Sequence, residues 1–207
     1  MTEALLFVLA EPGPVPEEEF HDWYDTEHGP ARLGVPGIRT GYRYHALDGQ
    51  KPSWLAWYEL DSAALDSPEY EIIRHRSPRE QDIVDRLTTL DRRVYELLDD
   101  RGTAPPEPAV VVAVQLSTSD PDGLDAWYRT EHLPLLHRMD GWYRTRRYRR
   151  TSGAGPDFLA FHEISDVRLF DADEYRHATS TPARTQVMDR VTARERRVFG
   201  FHRRISR

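Results

Sequence analysis

Apolar residues are concentrated in short runs along the chain, and each run has the length of a strand. Residues 4–10 are continuously apolar and residues 109–114 repeat this pattern, which is typical of strands buried on both faces. Helical spacing follows each run after a proline-containing turn. Pro16 fits the first position of one helix, and Asp120 ahead of Pro121 fits the start of the other. The pattern predicts a strand followed by a helix in each half.

Further strands and helix starts follow the first helix. Strands are predicted at 38–47 and 53–60, on either side of a Gly/Pro hairpin loop. Ser67-Pro68 starts one helix, and Ser77-Pro78-Arg79-Glu80 starts the next with the form of a capping box. Residues 92–97 are interpreted as a fourth strand, with a helix as the alternative. The corresponding stretch of the second half, 196–205, contains Gly200 and β-forming residues and favours the strand.

One segment occurs twice. The sequence Trp-Tyr-Asp-Thr-Glu-His-Gly-Pro at 23–30 returns 104 residues later as Trp-Tyr-Arg-Thr-Glu-His-Leu-Pro at 127–134. The same shift, without a gap, aligns Gly37 with Gly141 and many other pairs. An ungapped match of this length predicts two copies of one unit. The predicted division is a first repeat at 1–100, a proline-rich linker at 101–109 and a second repeat at 110–207.

Composition restricts the classes of function. The chain of 207 residues has a formal charge of −7, which does not indicate a nucleic-acid or anionic-membrane partner. It contains no cysteine, which excludes disulfides, thiolate metal sites and a cysteine nucleophile. The apolar runs are far too short to span a bilayer, and the N-terminus has no signal-peptide pattern, so a cytoplasmic protein is expected.

The order β-α-β-β-α-β, the helical pattern Trp-Tyr-x-x-Glu-His-x-Pro and the Pro-Gly or Asp-Gly strand entry together resemble the EthD-like group of the dimeric α+β barrel superfamily. The resemblance covers nearly the whole chain twice. It implies an α+β fold in which two tandem ferredoxin-like units form a barrel within one chain, as a monomeric pseudo-dimer or a homodimer. Relatives include cofactor-independent monooxygenases, polyketide cyclases, decarboxylases and haem-binding enzymes, so the resemblance leaves the reaction open.

His28 and His132 are the first candidates for chemistry. Each precedes a proline by two positions, where a predicted helix break frees backbone groups and lets a side chain turn into a cavity. A histidine there can take or give a proton, and the adjacent Glu27 or Glu131 could tune it. The alternative is that each imidazole caps the broken helix or donates to a carbonyl in the following turn. Only one of the two halves is expected to be active.

Arginine and tyrosine on the central strands are the second set of candidates. Arg43 with Tyr44, or Arg147 with Tyr148, could stabilise developing oxyanion charge. The alternative for the arginines is a cross-strand salt bridge, to Glu59 in the first half and to Glu163 in the second. His162 replaces Tyr58 of the first half and hints at separate chemistry in the second. Trp23 and Trp127 are interpreted as core residues.

Two classes of function remain. The first is a small-molecule enzyme without an organic cofactor, of lyase, cyclase or monooxygenase type, which performs acid–base chemistry on an aromatic or polyketide-like substrate. The second is a non-catalytic protein that binds a hydrophobic ligand or stabilises a partner. Haem binding through a histidine is a third alternative. The sequence contains no HExxH, GxSxG, phosphate-loop or dinucleotide motif, and no metal site is predicted.

Overall fold

The computed structural model describes residues 2–206, and the two halves of the chain have the same order of elements. The first half consists of β1 (Glu3–Glu11), α1 (Glu17–Trp23), a π-helical turn (Tyr24–His28), α2 (Gly29–Leu33), β2 (Ile38–Ala46), β3 (Trp54–Asp61), a 3₁₀ turn (Ser62–Asp66), α3 (Pro68–Arg74), α4 (Pro78–Arg86) and β4 (Thr89–Gly102). The second half consists of β5 (Val110–Thr118), α5 (Pro121–Trp127), a π-helical turn (Tyr128–His132), α6 (Leu133–Leu136), β6 (Trp142–Ser152), β7 (Phe158–Ile164), a 3₁₀ turn (Val167–Asp171), α7 (Asp173–Ala178), α8 (Pro182–Met188) and β8 (Val191–Arg204). An origin by tandem duplication stays a prediction.

The eight strands form one antiparallel barrel. They hydrogen-bond in the order β1-β3-β2-β8-β5-β7-β6-β4, and β4 also pairs with β1. Together with the helices, this makes the fold a mixed α+β fold, as predicted from the element pattern.

The chain divides into two compact units that interleave along the sequence. Unit 1 contains residues 1–97, 150–154 and 199–207, and unit 2 contains residues 98–149 and 155–198. The predicted division into 1–100 and 110–207 follows the sequence repeat. In the structure, residues 98–100 belong to unit 2, and residues 150–154 and 199–207 belong to unit 1. Strand β4 runs on to Gly102, so the first two residues of the predicted linker belong to a strand.

In unit 1, alternate residues of β1 lie on opposite faces of the sheet. Leu6 and Val8 belong to the core beneath α1 and α4, with Phe20, Trp23 and Ile83. Phe7 lies on the opposite face, with its ring edge-on to Tyr95 at 6.1 Å. Both faces are buried, which explains why the run at 4–10 has no polar position.

Unit 2 has the same kind of core. Val112 of β5 packs with Leu124 and Trp127 of α5 and with Ala160 of β7. The predicted core positions of Trp23 and Trp127 are confirmed, since both side chains are buried.

Two local interpretations are settled by the structure. The fourth strand of the first half is confirmed, and the helical alternative for 92–97 is wrong. Of the break or kink predicted at Gly29-Pro30, the break is wrong, because the helix continues through a π-helical turn into α2. The amide of Gly29 donates to the carbonyl of Tyr24, five residues earlier, and this wider turn takes the proline without ending the helix.

Among residues 2–206, no helix is long and apolar enough to cross a membrane.

Candidate active site in unit 1

The π-helical turn places His28 beside a carboxylate that lies far away in the sequence. Its Nδ1 is 2.7 Å from Oε1 of Glu80, at the start of α4. Ser77 caps α4 by accepting a hydrogen bond from the amide of Glu80 at 3.1 Å, which fixes the backbone of that residue. The capping box is therefore only half formed, because the Glu80 carboxylate lies against His28.

The protonation states follow from the partners. An ionised carboxylate can only accept, so the Nδ1 of His28 carries the proton and Nε2 keeps a lone pair. Burial and the charge of Arg32 lower the pKa of His28 to about 4, against the opposite influence of Glu80. Burial raises the pKa of Glu80, but its hydrogen bond to His28 and the nearby positive charges outweigh this and lower it. The pair is a neutral imidazole oriented by a carboxylate near pH 7.

A cleft of about 720 Å³ lies near this pair. Its lining belongs entirely to unit 1 and includes neither His28 nor Glu80. Arg32, one helical turn after His28, lies on the wall of the cleft, and its Nη1 is 3.7 Å from the Glu80 carboxylate. The lining residues that carry charge or a hydroxyl group are Arg32, Arg74, Arg76, Arg92, Asp66, Glu96, Ser62, Tyr70, Thr151 and Ser152. Four guanidinium groups against two carboxylates give the cleft a positive surplus.

The equivalent histidine of unit 2 has no carboxylate partner of this kind. The Nδ1 of His132 donates to the carbonyl of Ala178 at 3.1 Å, and its ring stacks on Trp127 at 4.2 Å. Burial lowers the pKa of His132 to about 4. The position that corresponds to Glu80 is Arg184. The predicted capping role does not apply to His132, because its helix continues into α6 and the carbonyl that it bonds belongs to α7.

Glu27 and Glu131 do not bond the histidines next to them in sequence. The hydroxyl of Ser77 donates to Glu27, and that of Thr181 donates to Glu131. Both hydroxyls are helix caps, so each carboxylate stabilises the start of the following helix. The expected tuning of His28 by a carboxylate is present, but Glu80 provides it.

Arg43 is buried among aromatic and acidic side chains. It donates to Asp25 at 2.9 Å, bonds Nδ1 of His21 at 2.7 Å and lies over the ring of Tyr24 at 4.4 Å. The expected salt bridge to Glu59 is wrong, since the Glu59 carboxylate accepts from Thr40. Tyr44 is fully buried with its ring edge-on to Phe201 at 5.5 Å. Neither residue lines the cleft.

The arginine of the second half has a similar arrangement. Arg147 donates to Asp125 at 2.6 Å and lies 3.3 Å from Asp99, so the expected partner Glu163 is wrong here too; Arg146 lies beside Glu163 instead, at 3.2 Å. Arg147 and Tyr148 border a cavity of about 30 Å³ in unit 2, which has room for about one water molecule.

His162 is buried in a polar cluster rather than open to a ligand. Its Nδ1 is 2.9 Å from the hydroxyl of Thr145, which is also 3.0 Å from Nε2 of His137. Burial holds the pKa of His162 well below its usual value. In unit 1 the corresponding residues are Tyr58 and Gly41, and a Cβ on Gly41 would lie 2.7 Å from the Tyr58 ring. The second half therefore combines a smaller ring (His162 in place of Tyr58) with a larger neighbour (Thr145 in place of Gly41).

Haem does not fit His28 or His132, the two histidines at equivalent positions of the repeat. An axial ligand has to present a ring nitrogen to a wide planar group. Only 10% of the His28 side chain is exposed, and the ring lies 4.6 Å from that of Trp23 and 4.8 Å from that of Tyr24. His132 is equally buried against Trp127. Within residues 2–206, no group of three or more His, Asp or Glu side chains is arranged to hold a metal ion.

Comparison with known proteins gives matches only at the level of structure. No protein-family model matches the chain. A search of curated proteins finds no match either. Among solved structures, an anthrone oxidase-like protein has a TM-score of 0.70 at 13% identity, over 98% of this chain and 92% of its own. A variant chlorite dismutase from Candidatus Nitrospira defluvii has a TM-score of 0.65 at 8% identity, over 98% and 93%.

A third structure is a protein from Lactobacillus acidophilus that is provisionally named a monooxygenase. It has a TM-score of 0.58 at 11% identity, over 100% of this chain and 97% of its own. At these identities the likeness is one of fold alone. These three structures have the dimeric α+β barrel fold, and that fold is what the chain shares with them.

Proposed function

We propose that the protein is an oxygenase-type enzyme that works without an organic cofactor, in the cleft of unit 1, on an aromatic substrate with an acidic C–H or O–H group. The observation that carries the proposal is the His28–Glu80 pair at 2.7 Å beside that cleft. The names of two similar structures, an anthrone oxidase-like protein and a provisionally named monooxygenase, favour oxygenation among the acid–base reactions. Membership of the EthD-like group is part of the same proposal.

The chemistry assigned to the pair is proton abstraction. Nε2 of His28 takes the proton from substrate, and the ionised Glu80 stabilises the imidazolium that forms. The guanidinium of Arg32 lies next to the pair and can stabilise the resulting enolate or phenolate. The electron-rich anion then reacts with O₂. For an anthrone-type methylene the balance is one CH₂ group and one O₂ giving one C=O group and one water.

The limited exposure of His28 sets a requirement on this mechanism. Only a tenth of the His28 side chain is exposed, and the ring is not part of the lining of the cleft. A substrate atom therefore has to reach Nε2 from the side of Arg32, which lines the cleft and lies 3.7 Å from Glu80. A buried neutral imidazole is a base over a wide pH range, because its pKa of about 4 leaves it unprotonated above about pH 5. Activity that depends on this base should fall only in acid.

The test compares His28→Asn with His132→Asn, which changes the equivalent residue of the other half. Anthrone is the probe, and O₂ consumption together with anthraquinone absorbance is the readout. We expect H28N to lose about 100-fold or more in kcat/KM, H132N to stay within about threefold of the wild type, and both to keep the wild-type circular dichroism spectrum. The wild-type profile of kcat/KM against pH should have its acid limb near pH 4.

Three results would count against the proposal. Full turnover in H28N would remove the base, and equal losses in both variants would indicate that the histidines only support the fold. A wild-type protein that binds anthrone but never consumes O₂ would favour the non-catalytic, hydrophobic-ligand alternative.

A further inference from the structure

The charge of the cleft in unit 1 is opposite to that of the protein. The whole chain carries −7, yet Arg32, Arg74, Arg76 and Arg92 meet in one cleft. Arginine side chains that converge on a concavity are suited to planar oxyanions, because each presents several N–H donors in a fixed plane.

Arg32 is the member of this set that most requires a ligand. Only 13% of its side chain is exposed, and its Nη1 is buried without a hydrogen-bond partner. The nearest carboxylate oxygen, Oε1 of Glu80, is 3.7 Å away and already lies 2.7 Å from His28. A buried donor with no acceptor costs free energy, which an acceptor oxygen in the cleft would recover.

Arg92 is held by Tyr70 in a position where it can bind an anion in the cleft. Its Nη2 donates to the hydroxyl of Tyr70 at 3.3 Å, and its guanidinium lies 6.0 Å from the centre of that ring. Tyr70 is buried in the core of unit 1, so it fixes one side of the guanidinium and leaves other donors for a ligand.

The second half of the chain shows that the fold itself does not need these charges. At the repeat spacing, the residues that correspond to Arg32, Arg74 and Arg76 are Leu136, Ala178 and Ser180. Only Arg92 has an arginine counterpart, Arg196. A role in stabilising the repeated unit would require the charges in both halves, so three of the four belong to something that unit 1 does alone.

The remaining lining limits the kind of anion. Ala4, Leu65 and Val94 supply apolar wall, and a volume of about 720 Å³ suits a ligand of two to three fused rings. Asp66 and Glu96 in the same lining repel surplus negative charge, which disfavours a phosphate dianion relative to a single carboxylate.

From these contacts we infer that the cleft binds an aromatic monocarboxylate, with the carboxylate on Arg32 and Arg92 and the rings against the apolar wall. This inference names the substrate class of the proposed enzyme. Only the statement that the ligand is a substrate rests on the proposed function, because binding can be measured without turnover.

Calorimetric titration of the full chain with 2-naphthoate tests the inference. The neutral isostere naphthalene-2-carboxamide and inorganic phosphate are the comparison ligands. We expect 2-naphthoate to bind the wild type, and R32Q and R92Q each to weaken it about tenfold or more. R168Q is the matched control, because the Arg168 side chain is 85% exposed in unit 2 and pairs with Asp166, away from the cleft. It should bind as the wild type does.

Three outcomes would overturn the inference. They are equal affinity for the carboxamide, unchanged affinity in both R32Q and R92Q, and displacement of 2-naphthoate by phosphate at lower concentration. R92Q keeps the test valid if R32Q does not fold, as judged by circular dichroism. H28N separates the two proposals, because it removes the base and leaves Arg32 and Arg92 in place. Retained turnover in H28N refutes only the base, and unchanged binding of 2-naphthoate in both R32Q and R92Q refutes only the carboxylate site.

Discussion

The buried imidazole of His132 makes a quantitative prediction about stability and pH. Burial lowers its pKa from an ordinary value of 6.5 to about 4 in the folded protein, while the unfolded chain keeps the ordinary value. Between these values the unfolded state binds more protons than the folded state. The free energy of unfolding therefore rises with pH, and the contribution of this residue is complete above pH 6.5 and is lost as pH falls towards 4.

The magnitude follows from the two pKa values. Lowering the pH from 7 to 5 costs the folded protein about 2 kcal/mol through this group alone. His132→Asn removes the titration and keeps a donor for the carbonyl of Ala178. The wild type should thus lose about 2 kcal/mol more than H132N over this pH interval, although H132N is the less stable protein at pH 7 because it loses the stacking on Trp127.

Urea unfolding at pH 7 and pH 5, followed by tryptophan fluorescence, measures the difference. H177N is the control for replacing a histidine by asparagine, because His177 is exposed and belongs to the same unit. Parallel stability curves for the wild type and H132N, within about 0.5 kcal/mol, would refute the reasoning that the folded state excludes the proton.

Two further predictions concern the packing around the site. Ser77→Ala should destabilise the protein by about 1–2 kcal/mol in urea unfolding, because it removes the cap of α4 and the partner of Glu27, whereas S77T should be nearly neutral since Thr181 performs both tasks in the second half. A loss in S77T as large as in S77A would contradict this account. Gly41→Ala should cost about 1–3 kcal/mol, because its Cβ would lie 2.7 Å from the fully buried Tyr58 ring, and adding Tyr58→His should recover part of the loss. Strict additivity of the two changes would show that they are not coupled through this contact.

Much of the fold could be predicted from the sequence because its signals are local. Apolar runs, helix caps and turn glycines each depend on a few neighbouring residues, and they locate most strands and helices of both halves. The π-helical turns could not be predicted this way. A proline two residues after the histidine disfavours an α-helical turn, but only the packing of the surrounding core decides whether the helix ends or widens its hydrogen bonding.

The candidate site shows the limit of the same reasoning. His28 was identifiable from its place in the repeated motif, but its partner Glu80 lies 52 residues away and could not be distinguished from the ordinary last residue of a capping box. The arginines of the cleft come from α2, α3, the loop after α3 and β4, and nothing local connects them. One signal was present in the sequence: Arg32, Arg74 and Arg76 have no charged counterpart at the repeat spacing.

The exchange of short segments between the units has a consequence for any shortened form of the protein. On the side away from β3, strand β2 pairs with residues 199–204 of β8. The buried Ile205 lies against Gly29 and Gly41. A fragment that stops near residue 103 would therefore carry an open strand edge and a hole where Ile205 belongs. An unpaired edge of this kind recruits another chain, so a lone first half should self-associate instead of surviving as a stable monomer, and the cleft can be studied only in the undivided polypeptide.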